Sequence, residues 1–284
     1  MSWFYTAAAS TLTLTLATRR LRATWLWLIT VKRHPDDWWR SGSFYPRTVT
    51  VAAADGNDEV EFSLLLDPRL SRKAVAMLVE DLAAAALALP SNALRTSAAA
   101  CHVWCNHASG IRGACVHWVT KPFFDPCGSI AARQCALEIN RFADYTGNLL
   151  ARENCLLHEL SHVFNATIGR EHCGVHQMFD RAVADGRYES VAMLDESPVR
   201  RAYGLNNHLE FFASLSVPLF GGVNDYFPFR RHDLVKSDRA SYDDLITIWG
   251  AHGDDVEAHI ASLAAAVAAA KDSEVAAVVS GNDA

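Results

Sequence analysis

The stretch 156-LLHELSHVFN-165 decides how the rest of the chain is interpreted. On a helix, at about 100° per residue, its large apolar residues fall within roughly 120° of one another. His158 and His162 are one turn apart and share a face almost opposite this apolar stripe, with Glu159 on the flank between. The pattern predicts an amphipathic helix that presents two imidazoles beside one carboxylate. Its predicted core residues are Leu156, Leu157, Leu160, Val163 and Phe164.

The order His-Glu-x-x-His is typical of zinc hydrolases. In that arrangement the two histidines bind Zn²⁺ and the glutamate acts as general base. The alternative is a solvated helix face that matches the motif by chance. The extended form with a third histidine six residues further on does not apply, since Asn165 and Ile168 occupy its glycine and histidine positions.

A catalytic zinc site usually has three protein ligands, so a third must be found. Glu210 lies among large apolar residues in 208-HLEFFASLS-216. Because burying an unpaired carboxylate is costly, a cation there would stabilise it. Alternatively, Glu210 is the third residue of a capping box that begins at Asn207. His172 and His176 also follow the motif and compete for the third position.

Composition excludes some classes of protein. The chain has 284 residues, half of them hydrophobic, and a net charge of −6. This mild acidity argues against a dedicated nucleic-acid binder, which would carry a basic surface. An odd number of cysteines over this length does not resemble a disulfide framework, so we predict reduced thiols and an intracellular, cytoplasmic protein. The seven cysteines are Cys101, Cys105, Cys115, Cys127, Cys135, Cys155 and Cys173.

Residues 1–45 are interpreted as an N-terminal extension. No acidic residue precedes Asp36, and arginine, serine and threonine are frequent, as in organelle transit peptides. The alternative is a strand-rich extension, because TLTLTLA and WLWLITV are typical of strands. Arginines interrupt the apolar stretches well before about 20 residues, so no membrane span is expected.

The sequence after residue 45 predicts short strands first and mainly helices afterwards. This order indicates the α+β class. Two strands around Asp55-Gly56 predict a hairpin, and Ser71 to Leu89 a helix that Pro90 ends. We expect one domain over 46–253 and an Ala-rich helical tail over 254–284. The other predicted strands are 101–106, 114–119 and 135–140, and the other predicted helices are 175–186, 208–216 ended by Pro218, 241–249 and 254–279.

The cysteines offer two alternatives to the zinc site of the motif helix. Cysteine and histidine density at 101–117 is compatible with a structural zinc site. However, strand alternation sends Cys101 and Cys105 to one face, as expected of half-buried core cysteines. Cys155 is a possible nucleophile of a cysteine hydrolase, although the sequence supplies no evident base for it. The cluster comprises Cys101, His102, Cys105, His107, Cys115 and His117.

With Glu210 in 210-EFFA-213, the motif residues resemble those of gluzincin-type zinc metallopeptidases. The similarity is greatest to the anthrax lethal factor-like catalytic domain and the uncharacterised metallopeptidases allied to it. The resemblance extends over residues 46–250, and the motifs that are specific to this group of proteins lie within 156–228. The resemblance implies a zincin-like fold with a small mixed sheet, and an active-site helix followed by a second helix that supplies the ligand Glu210.

The resemblance also implies residue roles. Zinc would be held by His158, His162 and Glu210, with Glu159 as general base in peptide-bond hydrolysis. Tyr203, seven residues before Glu210 (210 − 203), corresponds to a tyrosine that stabilises the oxyanion. The proteins that this chain resembles often have an acidic residue where it has Ser214, a position from which a carboxylate could hydrogen-bond and orient a metal ligand. The alternative function is a non-catalytic zincin-like binding domain.

Overall fold

The computed structural model describes residues 45–52, 59–89, 101–107, 114–117, 136–147, 149–169, 171–251 and 256–262. All five described strands lie before residue 140, with one helix between the second and the third, and helices dominate the second half, so the α+β class is confirmed. The strands are β1 (Tyr45–Ala52), β2 (Glu59–Leu66), β3 (His102–Cys105), β4 (Ala114–His117) and β5 (Ala136–Ile139). The α-helices are α1 (Arg72–Ala88), α2 (Phe142–Gly147), α3 (Leu149–Ile168), α4 (Cys173–Asp185), α5 (His208–Leu219), α6 (Arg231–Ser237) and α7 (Arg239–Trp249), and a 3₁₀ turn spans Tyr203–Asn206.

The strands form one mixed sheet in the order β1-β2-β3-β5-β4. The predicted hairpin pairs β1 with β2 in antiparallel register, with Val49 opposite Phe62. β3 is parallel to both β2 and β5, whereas β4 is antiparallel to β5 at the far edge. The sheet therefore ends in an antiparallel edge strand, and this strand contacts α3.

The sheet buries one face beneath helices. In β2, Phe62, Leu64 and Leu66 are buried, whereas the alternating residues Glu61 and Ser63 are exposed. This alternation is that of a strand covered on one side only. α1 and α3 pack against each other, and α3 also contacts β4 and β5. The helix that contains both histidines is thus anchored to the sheet.

Local sequence patterns predicted most of the helix ends and short strands correctly. Ser71 caps α1 by accepting a hydrogen bond from the Ala74 N–H, and Gly186 ends α4 with a φ of 62°. The three short strand predictions are confirmed by β3, β4 and β5. The predicted end of α5 before Pro218 is wrong, because the helix continues to Leu219. Pro218 lies in the last turn, where its missing N–H removes one hydrogen bond without preventing the turn from closing.

The helical half packs on α3. α5 crosses α3 and also contacts α4, α6 and α7. Phe164 of α3 stacks on Trp249 of α7 with ring centroids 3.9 Å apart. The Asn154 side chain makes two hydrogen bonds to the loop after α5. Its Nδ2 donates to the Val223 carbonyl at 2.6 Å, and its Oδ1 accepts from the Val223 N–H at 3.1 Å. These long-range contacts fix α5 against the motif helix.

Several predictions lie outside the described residues. The N-terminal extension before Tyr45 and the Asp55-Gly56 turn are among them. Of the predicted Ala-rich helix, residues 256–262 are described and are helical. Within the parts of the chain that are described, no helix has the length and apolar character needed to cross a membrane.

Candidate metal centre

The motif helix has the orientation that its periodicity predicted. All five residues of the apolar stripe are buried in the core. The two histidines on the other face are not open to solvent, because the side chain of His158 is 19% exposed and that of His162 is 15% exposed. A second element covers this face, and that element is the N-terminal turn of α5.

Glu210 belongs to this covering turn. Asn207 is the N-cap of α5, and its side-chain oxygen accepts from the backbone N–H groups of Leu209 and Glu210. The capping role of Asn207 is therefore confirmed. The Glu210 carboxylate, however, faces the two histidines of α3, with its Oε2 3.2 Å from His158 Nε2. The cap positions the start of α5, and the carboxylate is directed across to α3.

Three ligand-type atoms form a nearly equilateral triangle. His158 Nε2 and His162 Nε2 are 3.1 Å apart. Glu210 Oε2 lies 3.2 Å from the first nitrogen and 3.3 Å from the second. The two imidazole rings are almost perpendicular, at 85°, with centroids 4.7 Å apart. The rings therefore approach each other at their Nε2 corners and do not stack.

Hydrogen bonding alone does not satisfy this triangle. Each Nε2 carries at most one hydrogen, so the three atoms can make at most two hydrogen bonds among themselves. Atoms about 2.0–2.1 Å from a tetrahedral zinc ion lie about 3.3–3.4 Å from one another. The observed separations of 3.1, 3.2 and 3.3 Å are close to this spacing. The three residues therefore fit a single zinc ion, and they form one of two groups with the spacing to hold a metal among the described residues.

The electrostatics of Glu210 agree with this geometry. Burial raises the pKa of its carboxyl group, but hydrogen bonds and electrostatic interactions with His158 and His162 outweigh burial, so the pKa lies below its usual value. A carboxylate is the form of this side chain that a metal ligand requires.

Glu159 is buried beside the triangle and is not one of its corners. The residue is 7% exposed, although it is charged and lies on the flank of α3. Burial raises the pKa values of both Tyr203 and the Cys155 thiol, and the negative charge of Glu159 adds to the increase in each. Glu159 is not one of the three residues of the triangle.

Tyr203 approaches the site from the 3₁₀ turn before α5. Its ring centroid is 6.5 Å from that of His158. Burial and the negative charges of Glu210 and Glu159 raise the pKa of Tyr203 to about 12. The tyrosine is 54% exposed, so it lies at the border between the site and solvent.

No family model, curated protein or solved structure matches this chain. The choice of function therefore depends on the arrangement of the side chains themselves.

Sequence reasoning missed Tyr226. This tyrosine is buried and accepts a hydrogen bond from the Gly204 N–H at 3.1 Å. A Cβ at Gly204 would meet its hydroxyl at 2.7 Å, so glycine suits this close approach. Tyr226 thus ties the segment after α5 to the turn that contains Tyr203. Nothing local in the sequence indicated the contact, because it spans 22 residues.

The competing histidines lie apart from the triangle. His176 pairs with Glu171 at 2.8 Å and stacks on His208 with centroids 3.8 Å apart, and these three residues form the second group with metal-compatible spacing. Ring nitrogens bind metals in the ring plane, so two stacked imidazoles do not converge on one ion without a rotation. His172 is the N-cap residue of α4 and belongs to neither group.

The cysteine alternatives gain no support. Cys101 and Cys105 are buried in the core on one face of β3, as alternation predicted, and His102 is exposed on the other. Burial and the charges of Glu159 and Asp81 raise the pKa of the Cys155 thiol, which disfavours a nucleophilic thiolate. The described free thiols are Cys101, Cys105, Cys155 and Cys173.

Proposed function

We propose that this protein is a zinc-dependent peptidase of the gluzincin type, in which His158, His162 and Glu210 hold the ion. The observation that carries the proposal is the triangle of Nε2, Nε2 and Oε2 atoms separated by 3.1–3.3 Å. Ligand spacing alone would also suit a structural site. The buried acid Glu159 beside the triangle favours a catalytic one, since a purely structural domain has no need of it.

Each residue then has a separate role. A bound zinc ion would polarise the scissile carbonyl and lower the pKa of a water molecule toward about 7. Glu159 accepts the proton of the attacking water and later donates it to the leaving amine. Tyr203 retains its proton near neutral pH, because its pKa is about 12, and its hydroxyl donates a hydrogen bond to the developing oxyanion.

We extend the proposal to the fold. A zincin-like arrangement requires an active-site helix beneath a small mixed sheet and a substrate cleft beside an edge strand. The five-stranded sheet, the antiparallel edge strand β4 and its contact with α3 are in agreement with it. An extended peptide bound along β4 would lie close to the helix that contains His158, His162 and Glu159.

One observation favours the non-catalytic alternative. Ser214 offers no carboxylate, and neither His158 nor His162 has a hydrogen-bond partner outside the triangle among the described residues. Metal-binding histidines usually donate their second N–H to a carboxylate or carbonyl, which orients the ring and raises affinity. A domain that binds zinc without hydrolysing peptides is therefore the second candidate.

Zinc content separates these possibilities. We expect one zinc per chain by elemental analysis after purification without chelator, and loss of both metal and peptide hydrolysis on treatment with 1,10-phenanthroline. Adding back one equivalent of zinc should restore hydrolysis of a mixed peptide library. Zinc without hydrolysis would support the non-catalytic domain, and no zinc after attempted reloading would contradict both candidates.

The substitution Tyr203→Phe tests the oxyanion role. We expect kcat to fall by roughly 10²–10³, as for loss of a typical oxyanion donor, while zinc content is unchanged. Zinc stoichiometry and peptide kinetics measured on the same preparation check this. Tyr242→Phe, a change to a tyrosine on α7, is the matched control and should retain full turnover. Loss of zinc from Tyr203→Phe would show that its hydroxyl supports the metal and not the reaction.

A further inference from the structure

A cavity of about 320 Å³ opens beside the candidate metal centre. Tyr203 forms part of its wall, and the ring of the same side chain lies 6.5 Å, centroid to centroid, from the ring of His158. Its volume lies at the lower end of the range for small-ligand pockets, about 300–1,000 Å³. A group bound in this cavity would therefore sit next to the site where the reaction is proposed.

Backbone hydrogen bonds hold the walls of this cavity in place. Arg200 and Val191 exchange both backbone hydrogen bonds, at 2.9 and 3.2 Å. On the other side of the same segment, Leu194 N–H donates to the Asp225 carbonyl and Phe227 N–H to the Ala192 carbonyl, each at 2.9 Å. Although no long strand is present here, the segments that contain Arg200 and Asp225 are fixed relative to each other.

The two arginines of the cavity differ in their partners. Arg201 is already engaged, because its Nε lies 3.1 Å from Glu189 and its Nη2 donates to the Leu205 carbonyl at 2.9 Å. Arg200 donates through Nε to the Met193 sulfur at 3.2 Å, which is a weak acceptor. Within the described part of the chain, Arg200 has no carboxylate at ion-pair distance, although it acts electrostatically on Asp195.

From this arrangement we infer that the cavity is a substrate subsite in which Arg200 binds a carboxylate of the peptide. The inference rests on the proposed peptidase function and names its substrate class. A guanidinium group presents donors in a fork that matches a carboxylate, and Arg200 keeps the terminal part of this fork available. Asp225 also lines the cavity. Its negative charge repels a bound anion and therefore lowers the affinity of the cavity for the peptide carboxylate.

The carboxylate has two possible sources, an acidic side chain near the scissile bond or the free C-terminus of a short peptide. We would measure binding to the full-length Glu159→Gln variant loaded with zinc, so that peptides are not consumed. The probes are hexapeptides, blocked at both ends, in which a single Glu is the only charged residue and occupies each position in turn. Each has a Gln counterpart at the same position, and one further peptide without charged side chains has a blocked N-terminus and a free C-terminus.

We expect one register at which Glu binds roughly tenfold more tightly than Gln at low salt. Adding Arg200→Gln should abolish this difference, and Arg200→Glu should reverse it, so that the Gln peptide binds more tightly than its Glu counterpart. Asp225→Asn should increase the affinity for the Glu peptide. A preference confined to the free C-terminus would assign the carboxylate to the peptide end.

Arg239→Gln is the control, because Arg239 is an exposed arginine of α7 that pairs with Asp243, away from the cavity. It should leave the Glu preference unchanged. Equal binding of Glu, Gln and free-acid peptides, or a Glu preference that survives Arg200→Gln, would overturn the inference. Hydrolysis is measured separately on the wild-type protein. Carboxylate-dependent binding without any hydrolysis would contradict the proposed reaction and leave the subsite standing.

Discussion

Glu159→Gln is expected to retain zinc and the fold and to lower peptide hydrolysis by at least about 10²–10⁴-fold. The amide is nearly isosteric with the carboxylate but cannot accept the proton of the attacking water. Glu159 is buried beside the ligand triangle without belonging to it, so metal affinity should be unaffected. Zinc analysis, thermal unfolding and kcat/KM on one preparation would test all three expectations.

Glu80→Gln provides the matched control, because Glu80 is an exposed glutamate of α1. Its activity should equal that of the wild type. If Glu159→Gln loses its zinc, Glu159 takes part in coordination and the assigned role is wrong. If it retains full activity toward a peptide that the wild type cleaves, another group moves the proton.

Glu210→Ala is expected to weaken zinc binding by at least about tenfold and to abolish hydrolysis. The substitution removes one of the three atoms of the triangle and leaves two imidazoles, which are insufficient for a typical catalytic site. It retains the helix start, because the Asn207 cap accepts from the backbone N–H of residue 210 and does not need its side chain. Zinc dissociation constants measured by chelator competition would give the change.

His172→Ala and His176→Ala are the controls for this experiment. Both residues follow the motif closely in sequence, but neither belongs to the triangle. Each variant should therefore bind zinc as tightly as the wild type. A tightly metallated Glu210→Ala beside a metal-free His176→Ala would move the third ligand to α4. That result would overturn the gluzincin assignment while leaving the histidine pair on α3 in place.

The sequence by itself determined features that depend on neighbouring residues. The period of 156–165 predicted which residues of α3 are buried, and Ser71 and Gly186 marked helix ends that the structure has. These features follow from helical geometry and from hydrogen bonds over three or four residues. For the same reason, His158 and His162 were predicted to share a face before any tertiary contact was known.

The tertiary structure alone decided what covers that face. Glu210 is 48 residues beyond His162 (210 − 162), and the sequence left both a capping role and a ligand role open for it. The structure gives the cap to Asn207 and brings the Glu210 carboxylate to 3.2 Å from His158 Nε2. The contact depends on how α5 packs across α3, which no local pattern encodes.

The surroundings of the site were equally inaccessible to sequence reasoning. The Tyr226 contact with Gly204 and the cavity beside Arg200 join segments that lie far apart along the chain. Periodicity and capping signals report on the few residues around each position. Which surfaces meet depends on the simultaneous packing of the sheet, α3 and α5. The motif therefore indicated two histidines and a glutamate on one helix, whereas the position of Glu210 and the adjoining cavity required the fold.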